Sequence, residues 1–260
     1  MPEKIVTRGI VLRETQTKEA DKILTVLTEH QGKMALVARG VRRRGSKIAA
    51  ASQLLTYSEL VMHEMHGWYL LDEASTIELF DGVRQDVELL SLGSYFAEMT
   101  EAVCAEGIGA GEILPLLLNS LYALGTLKKP PALVKAAFEL RLLAAAGYEP
   151  LVYSCALCGR ETPVEPVFDA AQGVVLCRSC AGSAPDLLPL DPGSLAAMRH
   201  VLGSGQKRML SFSLTGKTLA RFARACETFG LVQLERGFRT LDFYKSISAE
   251  NNDTTTETQS

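Results

Sequence analysis

Near Asp81 the chain changes its period, and that switch limits the folds open to it. Before it, apolar residues alternate with polar ones or run in short stretches bounded by turn residues, as strands require. Ile5, Val6, Ile10, Val11 and Leu12 form one such stretch. The segment "KILTVLTEHQGKMALVARGV" predicts two strands around a turn at Glu29 to Gly32. A second hairpin is expected in "LLTYSELVMHEMHGWYLLDEASTIELF", turning near His66–Gly67. Five short strands with no helix between them suit a small barrel or a sandwich.

After Asp81 the apolar residues fall on helical stripes. Leu92, Phe96, Met99 and Val103 are spaced i, i+4, i+7 and i+11, on a helix that can end at Gly107. Pro130 and Pro131 open a second helix with Val134, Phe138 and Leu142 on one face, stopped by Gly147 and Pro150. A third carries Leu219, Phe222, Cys226 and Phe229, with Thr215 as its N-cap. The expected architecture is an α+β multidomain chain. It has a β domain over 1–80, an α-helical domain over 81–150 and 185–247, and an inserted element at 151–184. Residues 248–260 hold almost no apolar side chains and are expected to be a disordered tail.

The insertion carries four cysteines. Cys155 and Cys158 are two residues apart, as are Cys177 and Cys180. Four thiolates at this spacing can close a tetrahedron around one Zn²⁺, with Gly159 at the knuckle of the first pair. Because all four ligands come from protein, no position stays open to water, and the metal is expected to be structural, one per chain. A redox pair would want a βαβ setting, which is absent from the pattern. Cys104 and Cys226 sit in or beside apolar stripes and read as core residues. The His63–His66 spacing lacks the i, i+4 pattern of zinc proteases, so both read as surface histidines.

Charge is unevenly spread. Residues 1–50 hold 11 Lys/Arg against 5 Asp/Glu, a net of +6, whereas 51–260 hold 16 against 25, a net of −9. The excess gathers in "GKMALVARGVRRRGSK", where a strand-like run leads into Arg39, Arg42, Arg43, Arg44 and Lys47. Arginine forks match phosphate oxygens, so the stretch points to a polyanion. Lys33, Arg8, Arg13, Lys18 and Lys22 can widen the patch. Small barrels of the OB type bind single strands with a basic groove and stacking aromatics, for which Tyr57, Trp68 and Tyr69 are candidates. At least two of these three are expected in the core.

Catalytic signatures fail. "TGKT" at Thr215–Thr218 lacks the earlier glycine of a phosphate loop, since residue 211 is serine. "GIGAG" follows a helix and lacks a third glycine, and His200 has no nucleophile beside it. No signal-peptide core or membrane span is visible, so a soluble, cytoplasmic binding protein that is not an enzyme is expected. A zinc-ribbon adaptor for protein partners is the alternative reading.

Taken together, "LTEHQGKMALVARGVRRRGSK", "AFELRLLAAAGYEP" and the Cys₄ insertion resemble the RecO family of bacterial DNA repair and recombination mediators, over about residues 4–245. The most specific part is Gly32–Lys47. The resemblance implies an N-terminal OB-fold that binds single- and double-stranded DNA. It implies annealing of complementary strands, including those covered by single-strand-binding protein (SSB), and loading of RecA with RecR. It also implies a RecF-type partner and a pocket in the helical domain for the acidic tail of SSB. Lys135 and Arg141 are candidates for that last contact by position, although Ala136 and Ala137 stand where family members can place arginines.

Overall fold

The computed structural model describes residues 3–257. Contacts gather the chain into two compact units, 1–126 with 238–260, and 127–237.

The first unit begins with five strands: β1 (Lys4–Thr17), β2 (Asp21–Thr28), β3 (Gly32–Ala38), β4 (Tyr57–Met65) and β5 (Trp68–Glu78). They close into a barrel in the order β1-β2-β3-β5-β4, an OB-like arrangement. The long β1 serves both neighbours: Lys4–Ile10 pair with β4, and Gly9–Thr17 pair with β2 across an irregularity between Val11 and Arg13. Parallel pairing of β3 with β5, Leu36 to Tyr69 and Val37 to Leu70, completes the circle and decides barrel over sandwich. Alternate residues fill the interior, with Met34, Leu36 and Ala38 of β3 packed against Val11, Leu24, Val26, Leu60, Met62 and Leu71. Both expected turns are present: β2 and β3 are joined over residues 29–31, and His66–Gly67 link β4 to β5.

Gly32 carries a constraint of another kind. Its φ is +66°, and a Cβ there would lie 1.9 Å from the backbone oxygen of Ile108. The segment after Val103 crosses this turn, with Lys33 N–H donating to the Ala105 oxygen (3.3 Å) and Gly107 N–H to the Gln31 oxygen (3.2 Å). Gly32→Ala is expected to cost at least about 1–2 kcal/mol from backbone handedness alone, with the clash in addition. Urea denaturation of variant against wild type checks this, and an unchanged midpoint would contradict it.

Helices α1 (Asp81–Arg84), α2 (Val87–Val103) and α3 (Ile113–Gly125) follow in the same unit. Asp86 caps α2 by accepting from Leu89 N–H (3.0 Å). The α2 stripe is as expected, with Leu92, Phe96 and Met99 buried and Val103 half-buried, although the helix stops short of Gly107.

The second unit holds α4 (Pro131–Ala145), a three-stranded sheet of β6 (Pro166–Asp169), β7 (Val174–Cys177) and β8 (Leu188–Pro189), the single turn α5 (Arg178–Ala181), α6 (Pro192–Gly203) and α7 (Gly216–Gln233). In α4, Leu133 through Leu140 are all buried, a helix enclosed on most of its circumference by α6 and α7. α6 starts in a reciprocal cap: Asp191 Oδ1 accepts from Ser194 N–H and Ser194 Oγ accepts from Asp191 N–H, each at 2.8 Å. Thr215 sits at the N-cap of α7, but its side chain makes no capping bond.

The chain then returns to the first unit as α8 (Arg239–Glu257). Tyr95 of α2 meets the Phe238 ring edge-on at 5.5 Å, and Glu98 accepts from the Thr240 hydroxyl (2.5 Å). The helix anchored there continues through residues 248–257, where a disordered tail was expected, because extending a formed helix needs no new nucleus. Residues 258–260 of that tail lie outside the described residues. Among the described residues, no helix is long and apolar enough to cross a membrane.

Candidate nucleic-acid interface and metal centre

The arginine stretch forms the connection that follows β3. Arg39, Arg42, Arg43, Arg44 and Lys47 are all exposed, and residues 39–47 contain no acidic side chain. Val41 and Ile48 flank the run and are buried in the barrel core, so the loop is pinned at two points. Its backbone is further tied to the β1–β2 connection. Arg42 N–H donates to the Ala20 oxygen (3.0 Å), Arg42 Nη1 to the Glu19 oxygen (3.2 Å), and Gly40 N–H to Asp21 Oδ1 (2.7 Å). The loop and the β1–β2 connection therefore share one end of the barrel, and Lys18, exposed on that connection, joins the same end. The two anchors were not singled out from sequence; their signal is the apolar residue on either side of the arginines in "VRRRGSKI".

The other basic candidates are spent differently. Arg13 makes a forked ion pair with Glu101, with Nε and Nη2 each 3.0 Å from a carboxylate oxygen. Lys33 Nζ donates to the Glu101 backbone oxygen (2.9 Å), and Lys22 is paired with Glu14. Arg8 is exposed on β1, opposite Glu59 of β4. The three aromatics separate as well. Tyr57 donates its hydroxyl to Glu29 Oε1 (2.8 Å), and burial together with that carboxylate pushes its pKa up to about 12. Tyr69 packs on the barrel core. Trp68 alone of the three is open, 53% exposed at the start of β5.

The four cysteines of the insertion come together, with all sulfurs within 4.8 Å of one another and Cys158 to Cys177 at 3.8 Å. A tetrahedron with metal–sulfur bonds of about 2.3 Å has edges of about 3.8 Å, so the donor set fits a metal ion. Each pair is placed by backbone. Gly159, at φ +72°, lets its N–H reach the Cys155 oxygen (2.9 Å), and the β6–β7 hairpin returns Cys177 so that its N–H points at Cys155 Sγ (3.3 Å). Burial raises the Cys155 pKa, but N–H donation from Cys158, Cys177 and Leu157 outweighs it and brings the thiol down to about 6. Hydrogen bonding with Cys158, burial and the neighbouring sulfurs push Cys180 up to about 12, so four thiolates coexist only around a cation. Burial raises the Cys104 thiol to about 11 and Cys226 well above its ordinary value, as inert core thiols require.

Two family models cover these two regions, "Recombination protein O N terminal" over residues 1–80 and "Recombination protein O C terminal" over 84–242. A protein named DNA repair protein RecO from Acetivibrio thermocellus is 32% identical over 241 residues, 93% of this chain and 96% of the relative. The chain belongs to the RecO family. A relative of the same name from Symbiobacterium thermophilum is 30% identical over 92% of this chain and 96% of its own length. Another from Heliobacterium modesticaldum is 34% identical over 75% and 72%.

In this RecO-family chain the two helical-domain cations face inward. Lys135 is 5% exposed, with Nζ 2.8 Å from Glu139 Oε1 and 2.7 Å from Glu227 Oε2. Desolvation lowers its pKa, but Glu139 and then Glu227 outweigh that and hold it above the ordinary lysine value. Arg141 is half-buried and donates from Nη1 to the Leu202 oxygen (2.7 Å). Both side chains hold α4 against α6 and α7, an internal role that an approaching tail would have to displace.

Proposed function

We propose that this RecO-family protein binds DNA through the arginine loop and anneals complementary single strands, including strands coated with SSB. Family membership supports a role in DNA repair and recombination. The observation that carries the reading is five exposed cations, with no acid among them, on a loop pinned to the rim of an OB-like barrel. Annealing breaks no covalent bond. Two polyanions must be brought together with their repulsion screened, and cations exchanging with phosphate counterions do this without reading sequence. On this reading the protein acts in the bacterial cytoplasm, at the nucleoid, with RecR, and with RecF as a further partner, to assist RecA loading onto SSB-covered gaps. The Cys₄ cluster is read as one structural Zn²⁺ site, since four thiolates leave no open coordination position. The SSB tail remains a proposed ligand of the helical domain, at cations other than the inward-facing Lys135.

The test is the salt dependence of binding. If Arg42, Arg43 and Arg44 each neutralise a phosphate, replacing all three by alanine flattens the slope of log K against log salt by about 2 units on single strands. Fluorescence anisotropy over a salt series reads this directly. A folded triple variant that keeps the wild-type slope would remove the loop from the DNA contact. Annealing of SSB-coated complementary strands, with and without RecR, then separates annealing from simple binding.

A further inference from the structure

We infer that Trp68 is a stacking platform for an unpaired base, and that it gives the barrel a preference for single strands over duplex. The inference rests on the DNA-binding reading above. On β3, residues 34, 36 and 38 fill the barrel, so Lys33, Ala35, Val37 and Arg39 face outward. The parallel register pairs Leu36 with Tyr69, both on the core side, and Val37 with Leu70, which places Trp68 beside Ala35 on the outer wall. Ala35 is exposed and small, which leaves room beside the indole, whereas Val37 is half-buried and Leu70 buried further along the wall. Arg39 lies four residues along the same wall and one strand across, about 14 Å from Trp68 by strand rise and spacing. That fits within the roughly 4–16 nucleotides one OB-type barrel covers. Trp68 also follows the β4–β5 turn, and that turn, the β1–β2 connection and the outer face of β2–β3 are the elements by which OB barrels hold oligonucleotides.

The occupant follows from charge and from the ring. Five exposed cations at the end of β3 select a phosphate backbone. A solvent-facing indole selects a ligand with an accessible flat face. In a duplex both faces of each base are already stacked on neighbours, and exposing one costs a few kcal/mol. A single strand offers the face at little cost. The arginines then hold either form of DNA, and Trp68 distinguishes them.

Trp68 is the sole tryptophan of the chain, so its emission reports the contact without a label. Titrating the full-length protein with oligothymidylate at low salt is expected to quench that emission, while a blunt duplex leaves it largely unchanged. By anisotropy, Trp68→Ala is expected to weaken oligothymidylate binding by roughly 5- to 150-fold, the range for losing one stacked base, with duplex affinity and salt slope unchanged. Trp68→Phe is expected to recover most of the loss. Oligothymidylate that binds with the wild-type salt slope but leaves Trp68 emission unchanged would overturn the inference and leave the DNA reading standing. An unaltered single-strand to duplex ratio in Trp68→Ala would do the same. Absence of any anisotropy change with either DNA would overturn the DNA reading, and this inference with it.

Discussion

Cys155→Ser is expected to yield a protein that retains no metal and in which residues 151–184 are cut rapidly by trypsin, while the barrel strands stay protected. Wild type is expected to carry one zinc per chain by elemental analysis. The apolar cluster around the sulfurs is small, with Val167 and Leu176 buried and Val174, Ala181 and Leu187 half-covered. Burial on this scale is worth only a few kcal/mol, at about 25 cal/mol per Å². Structural zinc in comparable small sites supplies on the order of 10–16 kcal/mol, so a bound zinc would outweigh the apolar contacts of the two cysteine knuckles. Chelation of the wild type is expected to reproduce the variant. A metal-free wild type with full protease resistance over 151–184 would contradict the assignment.

The second large effect is expected at Lys135. Replacing it by methionine keeps the volume but removes the cation that Glu139, wholly buried, shares with Glu227. Breaking a buried pair in this way costs about 3–5 kcal/mol, whereas replacing both members with apolar residues is often neutral. Lys135→Met is therefore expected to lower the urea midpoint strongly, and adding Glu139→Leu to restore much of it. A lysine serving only as a surface contact for an acidic tail would leave stability untouched, so the same measurement separates the two roles. The pH dependence has a definite sign. Because folding raises the Lys135 pKa, its contribution is complete below the ordinary lysine value of about 10.4. It fades as pH climbs through the raised value. Wild type should lose more stability than the double variant in that alkaline window.

What the sequence showed, and what it did not, follows from the range of each interaction. The strands of the barrel were legible because the alternation of Met34, Leu36 and Ala38 is local, and so was the His66–Gly67 turn. Closure was not legible, because β3 meets β5 across an intervening strand and only two residue pairs carry the contact. The cysteine cluster announced itself by spacing. The basic patch was legible as composition, but the partner that occupies Arg13 lies 88 residues away, and no local pattern marks Glu101 as an acceptor. Position on the helix alone offers Lys135 as a contact for an acidic tail, and no local pattern shows that its face is covered. The helix is enclosed nearly all round, and the carboxylate of Glu227 comes from α7. The start of α6 was within reach of a sequence reading, since Asp191, Pro192 and Ser194 spell out its cap.

The return of α8 to the first unit sets an order of completion during synthesis. Residues 127–237 can gather all their own partners once residue 237 has left the ribosome. The unit begun earlier cannot finish then: Tyr95 and Glu98 still wait for Phe238 and Thr240. The half of the protein that emerges first is thus sealed last, and a nascent chain halted after residue 237 leaves an apolar face of α2 uncovered beside an already formed barrel. A premature stop near the 3′ end of the message would injure the N-terminal half, far in sequence from the missing residues.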